Sequence, residues 1–173
     1  QYDGSEPFSN YLKKYFSVNR QLGSRDRKQI SSCCYSFFRT GPLFKGIALI
    51  QSIPLAIFLC ANHSDPLLAE LYPEFNEQVS LPIEQKCFLI GVEWNERLLF
   101  SWIDALSKEV DVSKFVRSHL SQPDLFLRIR PGNRVEVEQK LNHSSVLYRI
   151  LNDTCVVLSN GIDISKILLL NKE

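Results

Sequence analysis

The chain is predicted to be mainly α, a helical bundle followed by a small α+β unit, on three observations. Apolar residues recur at helical spacing from residue 1 to about 90, in segments punctuated by Ser, Asp, Gly and Pro. Leu125, Leu127 and Ile129 alternate with Phe126, Arg128 and Arg130, a period-two strand bounded by Pro123 and by Pro131-Gly132. A helix-sized run over 133–141 and two strand-like runs, 146–150 and 155–158, then follow. The division expected is an all-α domain with connector over 1–110 and a small α+β subdomain over 111–173.

The elements read in order as follows. Ser5 is placed to cap a first helix, with Glu6 and Pro7 in its opening turn. Phe8, Tyr11, Leu12, Tyr15 and Phe16 form its apolar stripe, leaving Lys13 and Lys14 outside. Gly23 marks a break and Ser24 a new cap, opening a helix over 24–40 that buries Ile30, Cys33 or Cys34, Phe37 and Phe38 and ends at Gly41-Pro42. A third helical region covers about 43–61, reset at Ser52-Ile-Pro54. Asp65-Pro66 starts a short helix to Leu71, closed by Pro73. Ser80 is read as the cap of a helix to about Ile90. Residues 91–111, with Trp94 and Trp102, read as a connector packed on the bundle, and Asp111 caps a helix carrying Val112, Phe115, Val116 and Leu120.

The net charge of +1 conceals segregation. Residues 1–45 hold eight Lys/Arg against three Asp/Glu, residues 62–111 three against ten, and residues 112–149 seven against three. Two basic blocks flanking an acidic one suit a protein that binds a polyanion with selected faces, or else describe solvated helix faces that average out. No apolar run reaches the roughly 18 residues of a membrane span, and the first residues lack the zones of a secretion signal. A cytoplasmic location away from membranes is expected. The chain neither begins with Met nor contains one, which fits a piece of a longer protein or a sequence from which modified methionines were left out.

Five cysteines, Cys33, Cys34, Cys60, Cys87 and Cys155, make an odd count among apolar neighbours and read as small buried hydrophobes rather than a disulfide framework. No C-x-x-C or His/Cys cluster suggests a metal site. His63, His119 and His143 are scattered, and Glu70, Glu74, Glu77 and Glu84 read as a solvated helix face. No G-x-S-x-G, P-loop or glycine-rich dinucleotide turn occurs, so no catalytic residue is assigned.

Two segments carry a candidate polyanion site. Leu22-Gly-Ser-Arg-Asp-Arg-Lys28 places Arg25, Arg27 and Lys28 in the first turn of a helix, where cations oppose the helix dipole and local stability does not explain them. A phosphate-binding turn is one reading; salt bridges to the acidic middle block are the other. On the strand from Leu125, arginines beside an aromatic suit a phosphate-and-base surface. Arg25, Arg27, Lys28 and Arg39 are therefore expected to contact phosphates from the bundle, and Arg128, Arg130 and Arg134 from the α+β unit.

The segment 22–41 resembles the second helix of the NusB-like domain that heads Sun/Fmu-type ribosomal RNA cytosine-5 methyltransferases, and 122–132 resembles the strand opening the subdomain before their catalytic domain. The resemblance spans nearly the whole chain. It implies an all-α RNA-binding head and an RNA-recognition-like subdomain, with ribosomal RNA as partner. It further implies a catalytic domain of the same polypeptide, lying beyond Glu173, that binds S-adenosylmethionine and attacks a cytosine through a Pro-Cys nucleophile. No cysteine here follows a proline, so none inherits that role. A stand-alone NusB-like module, as in transcription antitermination with a ribosomal protein, is the alternative; a helical domain docking a basic protein through the acidic block 62–111 is a third reading.

Overall fold

The computed structural model describes residues 2–160 and 162–169. The chain divides after Ser121 into two compact units. The first is all-α. It contains α1 (Phe8–Val18), α2 (Ser24–Thr40), α3 (Leu49–Cys60), α4 (Pro66–Leu71), α5 (Pro73–Asn76), α6 (Ile83–Leu89), α7 (Glu96–Leu99) and α8 (Val112–Ser118), with short 3₁₀ turns at Gly41–Phe44 and Ile103–Ala105. The second contains β1 (Leu125–Arg128), α9 (Arg134–His143), β2 (Tyr148–Asn152) and β3 (Cys155–Leu158), then a 3₁₀ turn at Ile164–Lys166. Mainly α with a small sheet is thus the architecture. No single helix among the described residues is long and apolar enough to cross a membrane.

The boundary lies eleven residues beyond the one expected at 110/111. Asp111 does cap α8, accepting the Lys114 N–H at 3.0 Å, but α8 belongs to the bundle. Its Val116 is fully buried, and Leu120, just past its end, joins the bundle core. Apolar burial on one side decides the division, which a capping signal does not report.

The core of the first unit is built around α3. Ala56, Ile57, Phe58 and Leu59 are buried together with Phe44, Leu68, Val79, Ile83, Cys87 and Leu120. Phe58 stacks on Phe75 of α5 with ring centroids 4.9 Å apart. Each of the Leu, Ile, Val and Phe side chains in this core contributes about 1.5–3 kcal/mol by leaving water. That sum explains why α3 runs unbroken through Pro54 instead of resetting at Ser52. A proline offers no N–H to the carbonyl of Ile50 and costs about 3 kcal/mol in a helix interior, but Ile50 lies on the exposed side, where water reaches it.

Two expected caps move for a related reason. Pro7 and Pro82, rather than Ser5 and Ser80, stand at the N-caps of α1 and α6 with extended ψ of 132° and 149°, where the N–H that proline lacks is not needed by the helix. Ser24 is the first residue of α2, not its cap. Gly23 takes that position, and the Asp26 carboxylate accepts the Gly23 N–H at 2.9 Å. Asp65 caps α4 as expected, its Oδ1 accepting the Leu67 and Leu68 N–H groups, and Pro73 opens α5 in the same step that closes α4.

The second unit is a two-layer α+β arrangement. Its sheet is antiparallel in the order β1-β3-β2, so β1 and β2 run parallel with β3 between them, a split β-α-β. The registers Leu125↔Leu158 and Leu127↔Val156 on one side, and Tyr148↔Leu158 and Ile150↔Val156 on the other, put one apolar face together. Val137 and Leu141 of α9 close over that face with Ile129. Gly132, at φ 88°, makes the turn from strand to helix that a side chain would strain.

Candidate nucleic-acid interface

The opposite face of the sheet carries no helix among the described residues of this unit. Phe126 of β1 and Arg149 of β2 both pair with Val157 of β3, so the three side chains form one row across that face. In the next row Arg128 and Asn152 flank Cys155. Phe126 is 57% exposed, Arg128 and Arg149 are exposed, and Arg130 continues the same alternation past the strand. Among the described residues none of these three arginines forms an ion pair. Arg149 stands two strand spacings from the Phe126 ring, roughly 10 Å, and Arg128 one same-face step along β1, roughly 7 Å, so cations for a strand's phosphates flank an aromatic on which a base can stack. Beside this row a groove of about 240 Å³ is lined by Asp124, Leu147, Tyr148, Arg149, Val157, Leu158 and Ser159.

Arg134, expected on the same surface, has another employment. Its Nε lies 2.7 Å from Glu138 Oε1 and its Nη1 2.7 Å from Asp153 Oδ1. The first of these contacts, followed by the charge of both carboxylates, holds its guanidinium above its ordinary pKa. It ties the start of α9 to the β2–β3 turn, where Asn152 Oδ1 also accepts the Thr154 N–H at 2.9 Å. Arg149 was absent from the sequence-based set because its place on the open face depends on pairing with β3, and nothing local to residue 149 signals it.

On α2 the four expected cations separate in the same way, three in its first turn and Arg39 in its last. Arg27 turns back, donating through Nε to the Leu22 carbonyl at 2.9 Å and lying over the Phe16 ring at 5.8 Å. Arg39 is half-buried over Tyr35, 5.9 Å from its centroid. Arg25 and Lys28 are exposed and line a cavity of about 260 Å³ with Gln29, Ser32, Cys33, Ile57, Asp65, Pro66 and Leu67. Among the described residues no ion pair joins Arg25, Arg27 or Lys28 to the acidic middle block, although its Asp65 lines the same cavity as Arg25 and Lys28.

The acidic block is partly neutralised within its own unit. Arg97 grips Asp104 with both guanidinium nitrogens, at 2.8 and 3.0 Å, and Arg117 pairs with Glu84. These hydrogen bonds hold both carboxyls below the usual carboxylate range. Arg117 also lies 5.9 Å from the Trp94 ring, whose Nε1 is buried without a partner.

Among the described residues no group of three His, Cys, Asp or Glu side chains converges as a metal site would. The described residues form an all-α bundle and an α+β unit whose small antiparallel sheet carries a helix on one face and exposed Phe126, Arg128 and Arg149 on the other. No protein family, curated protein or solved structure matches the chain.

Proposed function

We propose that the chain is the RNA-binding, targeting part of an S-adenosylmethionine-dependent ribosomal RNA cytosine-5 methyltransferase of the Sun/Fmu type, working in the cytoplasm with its catalytic domain outside this sequence. The single observation that carries the RNA reading is the exposed pair Phe126 and Arg149 on either side of the buried Val157, with the exposed Arg128 in the next row. A sheet covered by a helix on one face and presenting an aromatic and arginines on the other is how RNA-recognition modules stack bases and hold the strand. The order β1-β3-β2 around one helix is also the β-α-β-β part of that split fold. The resemblance of 22–41 and 122–132 supplies the methyltransferase context and the NusB-like reading of the bundle.

The test is binding of a single-stranded ribosomal RNA fragment at increasing salt. Each phosphate neutralised contributes about 0.7 to the slope of log affinity against log salt for a single strand, so several contacts give a steep fall. Failure to bind RNA even at low salt removes the reading. Capture of a basic protein through 62–111 instead would move the function to that block.

A further inference from the structure

The cavity between α2, α3 and the start of α4 has a role that the sheet face does not supply. Its apolar lining is the buried Ile57, half-buried Cys33 and Leu67 and exposed Pro66, and the exposed Arg25 and Lys28 line it one helical turn apart. Gln29, Ser32 and Asp65 add hydrogen-bonding groups. At about 260 Å³ it falls just under the roughly 300 Å³ at which sites for drug-sized ligands begin, so it accommodates one small planar group and not a chain.

A bare anion does not fit this lining well, because Asp65 faces the same space with its own negative charge. That carboxylate accepts the Leu67 and Leu68 N–H groups through Oδ1, which fixes its position against the cavity. A ligand with an anionic end and a flat, donor-bearing end satisfies all the lining groups at once. We infer that the cavity binds one nucleotide, its phosphate at Arg25 and Lys28, its base on Ile57 and Leu67, and an amino edge of the base toward Asp65 and Gln29. Acceptors of the Asp and Gln type read such amino groups. The inference rests on the RNA-binding reading and deepens it: the bundle takes an unstacked nucleotide of the strand whose neighbours lie on open surface. A free mononucleotide shares the chemistry, and the test separates the two sources.

The experiment measures binding of adenosine 5′-monophosphate, inorganic phosphate and a short single-stranded oligoadenylate to the full chain, with Ser32→Trp, Arg25→Glu/Lys28→Glu and Phe126→Ala beside it. Ser32 is exposed on α2, so an indole there fills the cavity without entering the core. Alkylation of Cys33, followed by peptide mass, reports occupancy directly, since Cys33 lines the cavity and Cys155 does not. Expected are a loss of about tenfold or more in oligoadenylate affinity for both bundle variants and protection of Cys33, not Cys155, by the oligonucleotide. Binding of the mononucleotide alone, abolished by Ser32→Trp, keeps the nucleotide site and withdraws the RNA reading. Oligoadenylate affinity lost in Phe126→Ala but unchanged in both bundle variants keeps the RNA reading and overturns the cavity site. Inorganic phosphate protecting Cys33 as well as the nucleotide does also overturns it, leaving only an anion site.

Discussion

The ammonium of Lys86 lies 3.1 Å from the carbonyl oxygen of Phe58 and 2.5 Å from that of Ala61, in a residue only 2% exposed. Both carbonyls belong to the end of α3, where the last C=O groups have no intrahelical partner and the dipole is negative. The amine also lies 5.4 Å from the Phe58 ring. One long side chain from α6 thereby closes the most buried helix of the bundle.

Replacing Lys86 by Met keeps the volume and removes the donor. One buried acceptor, the Phe58 carbonyl, and one part-buried acceptor, that of Ala61, are then left; an unsatisfied buried one costs about 1–3 kcal/mol, offset in part by the charge no longer held out of water. The expected result is a net loss of about 2 kcal/mol, read as a lower urea midpoint for the bundle with an unchanged slope. An unchanged midpoint would show that water replaces the amine at no cost.

Alkali should destabilise the bundle through its thiols. Burial pushes Cys60 and Cys87 up to about 11, against 9.0 when exposed, so both contribute stability below pH 9 that is lost as the pH rises through 11. The rise corresponds to about 3 kcal/mol for each thiol at most. Lys86 runs the other way: burial lowers its pKa from 10.5, so the folded state carries a penalty at lower pH that is relieved as pH approaches 10.5. Two thiols outweigh one amine, and unfolding midpoints should fall between pH 9 and 11. In Cys60→Ala/Cys87→Ala the fall should vanish or reverse sign. Persistence of the native slope in that double variant would sink the assignment.

Much of this fold was legible because many of its signals are local. The bounds of α2 and the caps at Asp65 and Asp111 follow from side chains bonding to backbone two or three residues away, and the alternation from Leu125 marks β1 by itself. What failed to show depends on partners distant in sequence. Arg134 meets Asp153 nineteen residues on, Arg27 is held by Phe16 on another helix, and Arg149 reaches the open face only through β3. The division after Ser121 depends on where Leu120 is buried. Basic residues could thus be counted from sequence, but not sorted into those that face outward and those that hold the fold.

That sorting gives a comparison between Arg128 and Arg134. Arg128→Ala should weaken RNA binding and reduce the salt slope by about one contact, leaving thermal stability within about 0.5 kcal/mol. Arg134→Ala should leave the salt slope unchanged and lower the thermal midpoint of the α+β unit slightly, as expected for exposed ion pairs. The opposite pattern, with Arg134 altering the slope and Arg128 silent, would move the RNA surface from the sheet face to the α9 end.

The start of α2 offers a test that separates cap from first turn. Asp26 accepts the Gly23 N–H and stands near the positive end of the helix dipole, where it also offsets the neighbouring cations. Asp26→Ala should therefore cost about 1 kcal/mol. Ser24 has helical geometry and no capping bond, so Ser24→Ala should change stability by less than about 0.5 kcal/mol. Thermal unfolding of both variants decides between the two positions. If Ser24→Ala is the costly change, Ser24 is the true cap and the helix begins one residue later. Arg25 and Lys28 would then stand one position nearer the helix end than the cavity requires.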